Sequence, residues 1–255
     1  MKAGVLIIDA GNTRVKWAIH DGRKWLSRGA IDTAAVVGSE SFGDAMKSFE
    51  IDRAVMSNVA GPLVAKAIAG QLHYLAEPIL IVSAEAKQCG VVSHYETPAQ
   101  LGSDRWAALI AAHAAAIDEP RPQLVVMSGT ALTVDALTAD GNFLGGIIVP
   151  GLMLMHHALH RGTAQLPSAS GQYQTFPCNT LNAIASGALE ACAGAVARMH
   201  THLAARAGVS VHSVGSGGAM TALAPHLPFP VSINDNLVLD GLLVIANASQ
   251  PTRHS

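Results

Sequence analysis

The chain has 255 residues, of which half are hydrophobic and 13% are charged, and its formal net charge is −2. This length supports one large domain or two ordinary ones, and the mild charge excludes a basic surface for nucleic acid or for an anionic membrane. Cys89, Cys178 and Cys192 form no C-x-x-C pair, so we expect a reducing compartment and neither a disulfide framework nor a zinc site. Because no run approaches about 18 apolar residues, we expect a cytoplasmic protein without a membrane span.

The first distinctive stretch is a short apolar run followed by small residues and turn formers. Residues 5–8 predict a buried strand, and residues 10–13 predict a tight turn. Asp9 at the end of this strand can hold a metal ion through water, while the polar groups of the turn and Lys16 can face phosphate oxygens. The same residues also fit an ordinary N-terminal β-hairpin, and the chain contains no Walker A motif.

The rest of the first half predicts the order βββαβαβ. Apolar and polar residues alternate over 14–20, and Asp21-Gly22 is a strong hairpin turn. The elements that follow are a strand over 24–30, a helix over 41–49, a strand over 53–57, a helix over 62–72 and a strand over 78–83.

A polar passage over 90–103 then leads into a clear helix over 106–116. Ser103 or Asp104 suits the N-cap of this helix, which is a common structural role for both residue types. Asp104 and Arg105 also suit a catalytic pair, in which one side chain takes a proton and the other holds an anion. The residues alone leave both roles of Asp104 open.

The second half repeats this pattern weakly, without repeating the residues themselves. Small and hydroxyl-bearing residues form a turn at 128–131, and Gly215-Ser216-Gly217-Gly218 follows a strand and precedes a helix. We expect a surface loop over 161–178 and a frayed end after 248. The predicted strands cover 124–127, 132–137, 143–149, 209–214 and 229–233, and the predicted helices cover 152–160, 179–205, the residues from 219 to about 223, and 237–248.

Four motifs in order span nearly the whole chain: Asp9-x-Gly11-Asn12-Thr13, Gly102-x-Asp104-Arg105, Gly129-Thr130-Ala131-x-Thr133 and Gly145-Gly146-x-Ile148-x-Pro150-Gly151, with a fifth at Asn179-Thr180 and Gly187. Together they resemble type III pantothenate kinase, a family of the acetate and sugar kinase, Hsp70 and actin superfamily in which some members are called Bvg accessory factor. The resemblance implies an α/β protein with a duplicated ribonuclease H-like, actin-like ATPase fold. Its two βββαβαβ halves, 1–117 and 118–255, would lie around a nucleotide cleft.

This resemblance also implies an activity and a set of site residues. The activity is ATP-dependent phosphorylation of pantothenate to 4′-phosphopantothenate, the first step towards coenzyme A, by a homodimer. Asp104 would accept the proton of the pantothenate hydroxyl, and Asp9 would lie near Mg²⁺ and hold it through water. ATP would be bound by Asp9, Ala10, Gly11, Asn12, Thr13, Arg14, Val15, Lys16, Thr130, Gly217 and Gly218. Pantothenate would be bound by Tyr95, Gly102, Ser103, Asp104, Arg105 and Thr180, the last from the partner subunit.

One position departs from the family pattern. Many members carry an Asp two residues before the Gly-Thr pair, where a monovalent cation such as K⁺ or NH₄⁺ binds, but this chain has Met127. A thioether is a poor ligand for a hard cation, so we do not expect this ion to bind there in the usual way. Two other functions stay open: a kinase for another small hydroxylated acid, and a regulatory protein that has lost activity. We expect no nucleic-acid or membrane partner.

Overall fold

The computed structural model describes residues 4–39, 41–163 and 171–249, which form two compact units. The first unit contains the described residues up to Ala115 and those from Asn236 onward, and the second contains Ala116–Asp235. The predicted loop over 161–178 lies partly outside the described residues. The predicted frayed end lies outside them from residue 250 onward.

A mixed sheet forms the first unit. The strands β1 (Gly4–Ala10), β2 (Arg14–His20) and β3 (Trp25–Asp32) form an antiparallel meander. The strand β4 (Ile51–Asn58) runs parallel to β1, and β5 (Leu80–Ile81) runs parallel to β4. The resulting order is β3-β2-β1-β4-β5, so the end of β1 lies in the middle of the sheet.

Three helices cover one face of this sheet. They are α1 (Thr33–Gly38), α2 (Ser41–Met46) and α3 (Pro62–Gln71), and α2 ends three residues before the predicted position. The sequence did not predict α1, which is a short helix without a side-chain hydrogen bond at its N-cap. Phe42 of α2 and Ile68 of α3 are fully buried in the core beneath these helices.

A small hairpin that the sequence did not predict lies at the beginning of the polar passage 90–103. Its strands are β6 (Lys87–Gln88) and β7 (Val91–Ser93), and its turn has positive φ angles at Cys89 (48°) and Gly90 (85°). Two consecutive positive φ values are typical of a type I′ turn, which usually has Asn at its first central position. Cys89 stands at that position, so the usual hairpin signal is missing from the sequence.

The helix α4 (Ser103–Ala115) follows this hairpin and is held against it. Trp106 is fully buried, and its Nε1 donates a hydrogen bond to Gln88 Oε1 at 2.8 Å. The helix begins three residues earlier than predicted. Asp104 therefore lies inside its first turn and not at its N-cap.

The second unit repeats the strand connectivity of the first. The strands β8 (Gln123–Ser128), β9 (Ala131–Leu137) and β10 (Asn142–Pro150) form an antiparallel meander. The strand β11 (His212–Ser216) runs parallel to β8, and β12 (Val231–Ile233) runs parallel to β11. The order β12-β11-β8-β9-β10 matches that of the first sheet element by element, which confirms the predicted βββαβαβ duplication.

The helices of the second unit are α5 (Leu152–Gly162), α6 (Thr180–Ala207) and α7 (Met220–Leu223). Asn179 caps α6, because its side chain accepts a hydrogen bond from Asn182 N at 2.9 Å. By length and hydropathy, α6 is the one described helix that could cross a membrane. It contributes Leu189, Cys192 and Val196 to the core of the second unit, so we assign it as a core helix.

The last helix, α8 (Leu237–Ala248), has the predicted bounds but packs in the first unit. The backbones of α4 and α8 approach closely, since a Cβ on Gly241 would lie 1.8 Å from Ala107 O. Arg53 Nη1 of β4 also donates a hydrogen bond to Ala246 O at 2.9 Å. The sequence assigned this helix to the half 118–255, and the halves as domain boundaries stay a prediction.

Candidate active site

The carboxylate of Asp9 lies at the end of β1, in the centre of the first sheet. Asp9 is the register partner of Lys16 on β2 and of Ser57 on β4. The pKa of Asp9 is raised from 3.8 to about 7. Burial is the main cause, the negative charge of Asp104 adds to it, and the positive charge of Lys16 opposes both. The positive charge of Lys16 therefore does not fully offset the cost of ionising Asp9 in the folded protein.

The turn after Asp9 has the geometry of a β-hairpin and is held in place by hydrogen bonds from the start of α1. Gly11 N donates to Arg14 O at 3.1 Å, which closes the turn. Thr33 at the start of α1 bonds the turn twice, from Oγ1 to Gly11 O at 2.7 Å and from N to Thr13 O at 3.0 Å. Asn12 and Thr13 stay exposed, so the hairpin interpretation and the phosphate-binding interpretation are compatible. No motif in the sequence pointed to Thr33.

The second carboxylate of the candidate site, that of Asp104, lies in the first turn of α4. Its Oδ1 accepts a hydrogen bond from Arg105 N at 2.8 Å. Burial raises the pKa of Asp104, while this hydrogen bond and the charge of Arg105 oppose the shift. A Cβ on Gly102 would lie 2.6 Å from Asp104 Oδ1, so Gly102 leaves the space that this carboxylate occupies.

A pair of buried hydroxyls joins β4 to the start of α4. Ser57 is fully buried and Ser103 nearly so, and their Oγ atoms lie 2.8 Å apart. The sequence assigned Ser103 to pantothenate binding, and a contact of its hydroxyl with substrate stays a prediction. Ser57 was missed, because a Ser at the end of a strand carries no sequence signal for a partner 46 residues away.

The structure brings together two of the residues assigned to pantothenate. Arg105 is only 5% exposed, and its guanidinium carbon lies 6.0 Å from the ring centroid of Tyr95. This distance is within the range of a cation–π contact. A buried guanidinium beside an aromatic ring suits recognition of a small carboxylic acid.

The second unit also brings together residues predicted to bind ATP. Gly217 has a φ of 105°, and a Cβ on it would lie 2.4 Å from Ser128 O. Ala219 N donates to the same oxygen at 3.2 Å, and Thr130 O accepts from Gly151 N at 3.0 Å. The two small-residue turns of this unit therefore pack against each other. The ATP contacts of Thr130, Gly217 and Gly218 stay predictions.

Thr180 is the first residue of α6. It lines a pocket of about 930 Å³ between α5 and α6, together with Met155, Leu159, Cys178 and Ile184. Most of the residues that line this pocket are apolar.

The geometry of the first unit suits phosphoryl transfer to a hydroxyl. This reaction needs positioning, neutralisation of phosphate charge and a group that takes up the hydroxyl proton. Asp104 with its raised pKa suits proton uptake, and the charged side chains of Lys16 and Asp9 stand at register-paired positions of neighbouring strands.

A family model for type III pantothenate kinase matches residues 5–202 of the chain. The type III pantothenate kinase of Nitrosospira multiformis is 45% identical over 249 residues, which cover 97% of this chain and 93% of that protein. The chain belongs to the type III pantothenate kinase family. It is therefore an enzyme that phosphorylates pantothenate in coenzyme A biosynthesis, as the motifs predicted.

Solved structures that this kinase resembles confirm the predicted fold class. A Baf family protein of Campylobacter jejuni, described as a transcriptional activator, has a TM-score of 0.59 at 17% identity, with 95% of this chain and 98% of that chain covered. The ethanolamine utilization protein EutJ of Carboxydothermus hydrogenoformans has a TM-score of 0.55 at 11% identity, with 94% and 88% covered. The kinase thus has the actin-like ATPase fold.

Proposed function

We propose that this kinase transfers the terminal phosphoryl group of ATP to the hydroxyl of pantothenate, with Asp104 as the proton acceptor. The observation that supports this role is the carboxylate of Asp104 at the start of α4, buried, with a raised pKa and next to Arg105. The hydroxyl oxygen forms a bond to the phosphorus, the bond to ADP breaks, and the hydroxyl proton passes to Asp104. The cytoplasm, where ATP is abundant, is the compartment that suits this reaction.

The two substrates use different parts of the candidate site. Arg105 pairs with the pantothenate carboxylate, and Tyr95 lines the same pocket, which is supported by the 6.0 Å distance between them. The hairpin 9–16 binds the ATP phosphates through its exposed turn and Lys16. Thr130, Gly217 and Gly218 contribute further ATP contacts.

Mg²⁺ fits the residues around Asp9. The described residues contain no cluster of three or more His, Cys, Asp or Glu side chains that could hold a metal. Mg²⁺ commonly binds through one or two carboxylates together with substrate phosphates and waters, so it needs no such cluster. Asp9 supplies one carboxylate that can hold Mg²⁺ through water, and its raised pKa reports a negative charge that a cation would stabilise. When bound with ATP, Mg²⁺ neutralises phosphate charge.

A monovalent cation does not fit beside Met127. Met127 and Thr133 are register partners on β8 and β9, and together they offer a thioether and one hydroxyl. Thr133 Oγ1 is buried and has no hydrogen-bond partner in the part of the chain that the structure describes. The thioether of Met127 supplies no hard oxygen, so K⁺ would need other oxygen ligands.

An assay of ADP release with ATP and Mg²⁺ tests this proposal. We compare pantothenate with an analogue in which the carboxylate is replaced by a neutral hydroxymethyl group, each in Na⁺ and in K⁺ buffer. We expect turnover with pantothenate, a much higher KM for the neutral analogue because Arg105 has no carboxylate to bind, and equal rates in both buffers. Turnover only with another hydroxy acid would favour a kinase for that acid. No turnover with any hydroxy acid would favour the regulatory protein. Strict dependence on K⁺ would contradict the assignment at Met127.

We further propose that the kinase is a homodimer that uses the face of α5. No residue of this helix is buried in the described part of the chain, although it carries Met153 (62% exposed), Leu154 (43%) and Leu159 (40%). Phe176, at 87% exposure, adds to the exposed apolar surface of this unit. Burying these side chains against a second copy removes apolar surface from water. Thr180 at the neighbouring pocket then lies close to the partner subunit.

Leu154→Glu is expected to convert the dimer to a monomer, because it places a charge in the apolar interface. Analytical ultracentrifugation would show the wild type at twice the chain mass of 26.3 kDa and the variant at that mass. Leu63→Glu, which replaces a 73% exposed Leu of the first unit, is the control and stays dimeric. A wild type that sediments as a monomer refutes the dimer. A folded, monomeric Leu154→Glu variant with full activity refutes a role for Thr180 across the interface.

A further inference from the structure

Three chain segments carry the two carboxylates of the candidate site, those of Asp9 and Asp104, and the buried residue Ser57. Asp9 ends β1, Ser57 is its register partner on the parallel strand β4, and Asp104 lies in the first turn of α4. The strands β1 and β4 are fixed to each other by their ladder of backbone hydrogen bonds. The start of α4 has no such ladder, so its position relative to β1 depends on other contacts.

The hydroxyl pair of Ser57 and Ser103 supplies one of these contacts. Their Oγ atoms lie 2.8 Å apart, and both residues are at least nine-tenths buried. A hydrogen bond between two buried hydroxyls is specific in distance and direction, because water does not compete for either partner. Ser103 is the residue directly before Asp104. A shift of its hydroxyl therefore shifts the carboxylate that follows.

The carboxylate of Asp104 has little space in which to move. A Cβ on Gly102 would lie 2.6 Å from Asp104 Oδ1, and the same oxygen accepts the hydrogen bond from Arg105 N. The carboxylate is thus confined by the backbone on both sides of its own residue. Its location in the site is decided by where the first turn of α4 is anchored.

We propose that Ser57 is a positioning residue, which sets the distance of Asp104 from Asp9 through its hydrogen bond to Ser103. This inference rests on the proposed role of Asp104 as proton acceptor. Ser57 itself touches neither substrate in this account. It acts on the rate of the chemical step, because a misplacement of about 1 Å between reacting groups can cost about 100-fold in rate.

Three variants test the proposal: Ser57→Ala, Ser103→Ala and the double variant. We expect kcat to fall about tenfold or more in each, while KM for ATP changes less than about twofold, because only the geometry of phosphoryl transfer is altered. The double variant should be no slower than the slower single variant, since all three lose the same hydrogen bond. Should Ser57→Ala not fold, Ser103→Ala carries the test from the other side of the bond.

Ser213→Ala is the matched control. Ser213 is also a buried serine, on β11 of the second unit, and its Oγ has no hydrogen-bond partner in the described ranges. We expect its kcat to equal that of the wild type. A lower melting temperature with unchanged kcat in Ser57→Ala and Ser103→Ala would reveal a purely structural bond and overturn the inference. Losses that add in the double variant, with a raised pantothenate KM in Ser103→Ala, would overturn it as well.

The assignment of Asp104 can be separated from that of Ser57. If Asp104→Asn abolishes turnover while both serine variants retain full kcat, the inference about Ser57 fails alone. If Asp104→Asn keeps full kcat, the proposed role of Asp104 fails, and the inference about Ser57 fails with it.

Discussion

Asp104→Asn is expected to lower kcat for pantothenate phosphorylation by about 10²–10⁴-fold, which is the usual contribution of a positioned general base. The amide nearly matches the carboxyl group in size, and its oxygen can still accept the hydrogen bond that Asp104 Oδ1 receives from Arg105 N. It cannot take up the hydroxyl proton. We therefore expect the helix start to be preserved and pantothenate binding, measured by calorimetry, to stay within about threefold of the wild type.

Asp52→Asn is the control for this substitution. Asp52 is an exposed residue of β4 in the same unit, so its replacement makes the same chemical change away from the candidate site. We expect wild-type kcat and KM for this variant. A kcat of Asp104→Asn within about tenfold of the wild type would exclude Asp104 as the base.

Asp9→Asn is expected to have two opposite effects, a loss of activity and a gain in the stability of the metal-free protein at pH 8. The folded-state pKa of Asp9 is about 7, whereas the ordinary value is 3.8. Burial is the main cause, the charge of Asp104 adds to it, and Lys16 opposes it. The proton of Asp9 therefore stabilises the fold fully below pH 3.8, and this contribution decreases as the pH rises to about 7.

The size of this effect follows from linkage. Between the unfolded-state and folded-state pKa values, one titrating group changes the unfolding free energy by about 1.4 kcal/mol per pH unit. Urea unfolding at pH 5 and pH 8 in EDTA measures the difference between Asp9→Asn and the wild type. We expect the unfolding free energy of Asp9→Asn to rise relative to that of the wild type by a few times about 1.4 kcal/mol between pH 5 and pH 8. A difference that does not vary with pH would show that Asp9 is not buried at a raised pKa.

The second half of this prediction concerns the effect of Mg²⁺ and ATP on thermal stability. The ionised Asp9 is an unfavourable charge in the free protein, and it holds the cation through water when Mg²⁺ is present. We expect Mg²⁺ and ATP to stabilise the wild type in thermal unfolding and to have a much smaller effect on Asp9→Asn. Equal stabilisation of both proteins would contradict the assignment of Asp9 to the cation.

Local sequence signals predicted much of the fold because short-range chemistry decides those elements. The apolar run before Asp9 gave β1, and the small polar residues after it gave the turn to β2. The start of α6 was predicted at residue 179, where the Asn179 side chain accepts a hydrogen bond from a backbone N–H three residues ahead. The bounds of α8 were right at both ends.

Contacts between distant residues explain what the sequence did not show. The packing of α8 in the first unit depends on the meeting of Gly241 with the backbone at Ala107, more than 130 residues apart. A Gly inside an apolar helix was the available signal for such a close approach. The hairpin at Cys89 was missed because Cys occupies a position where Asn would have revealed the turn.

The sequence named candidate site residues and no geometry. The motifs named Asp9, Asp104 and Arg105, and the family model covers all three positions. The sequence could not tell that burial raises the pKa of both carboxylates, nor that Ser57 anchors the start of α4. Burial and hydrogen bonds between distant segments arise only when the chain is folded. The individual roles of these residues therefore stay predictions.

Identification of the product by ³¹P NMR tests the central claim most directly. The wild-type kinase is incubated with ATP, Mg²⁺ and pantothenate, and the spectrum is compared with that of the same mixture without pantothenate. We predict a new phosphomonoester resonance that couples to the protons next to the former hydroxyl, formed in equal amount with ADP. ATP that stays intact, or that yields only ADP and inorganic phosphate, would contradict the assignment of this site as a pantothenate kinase centre.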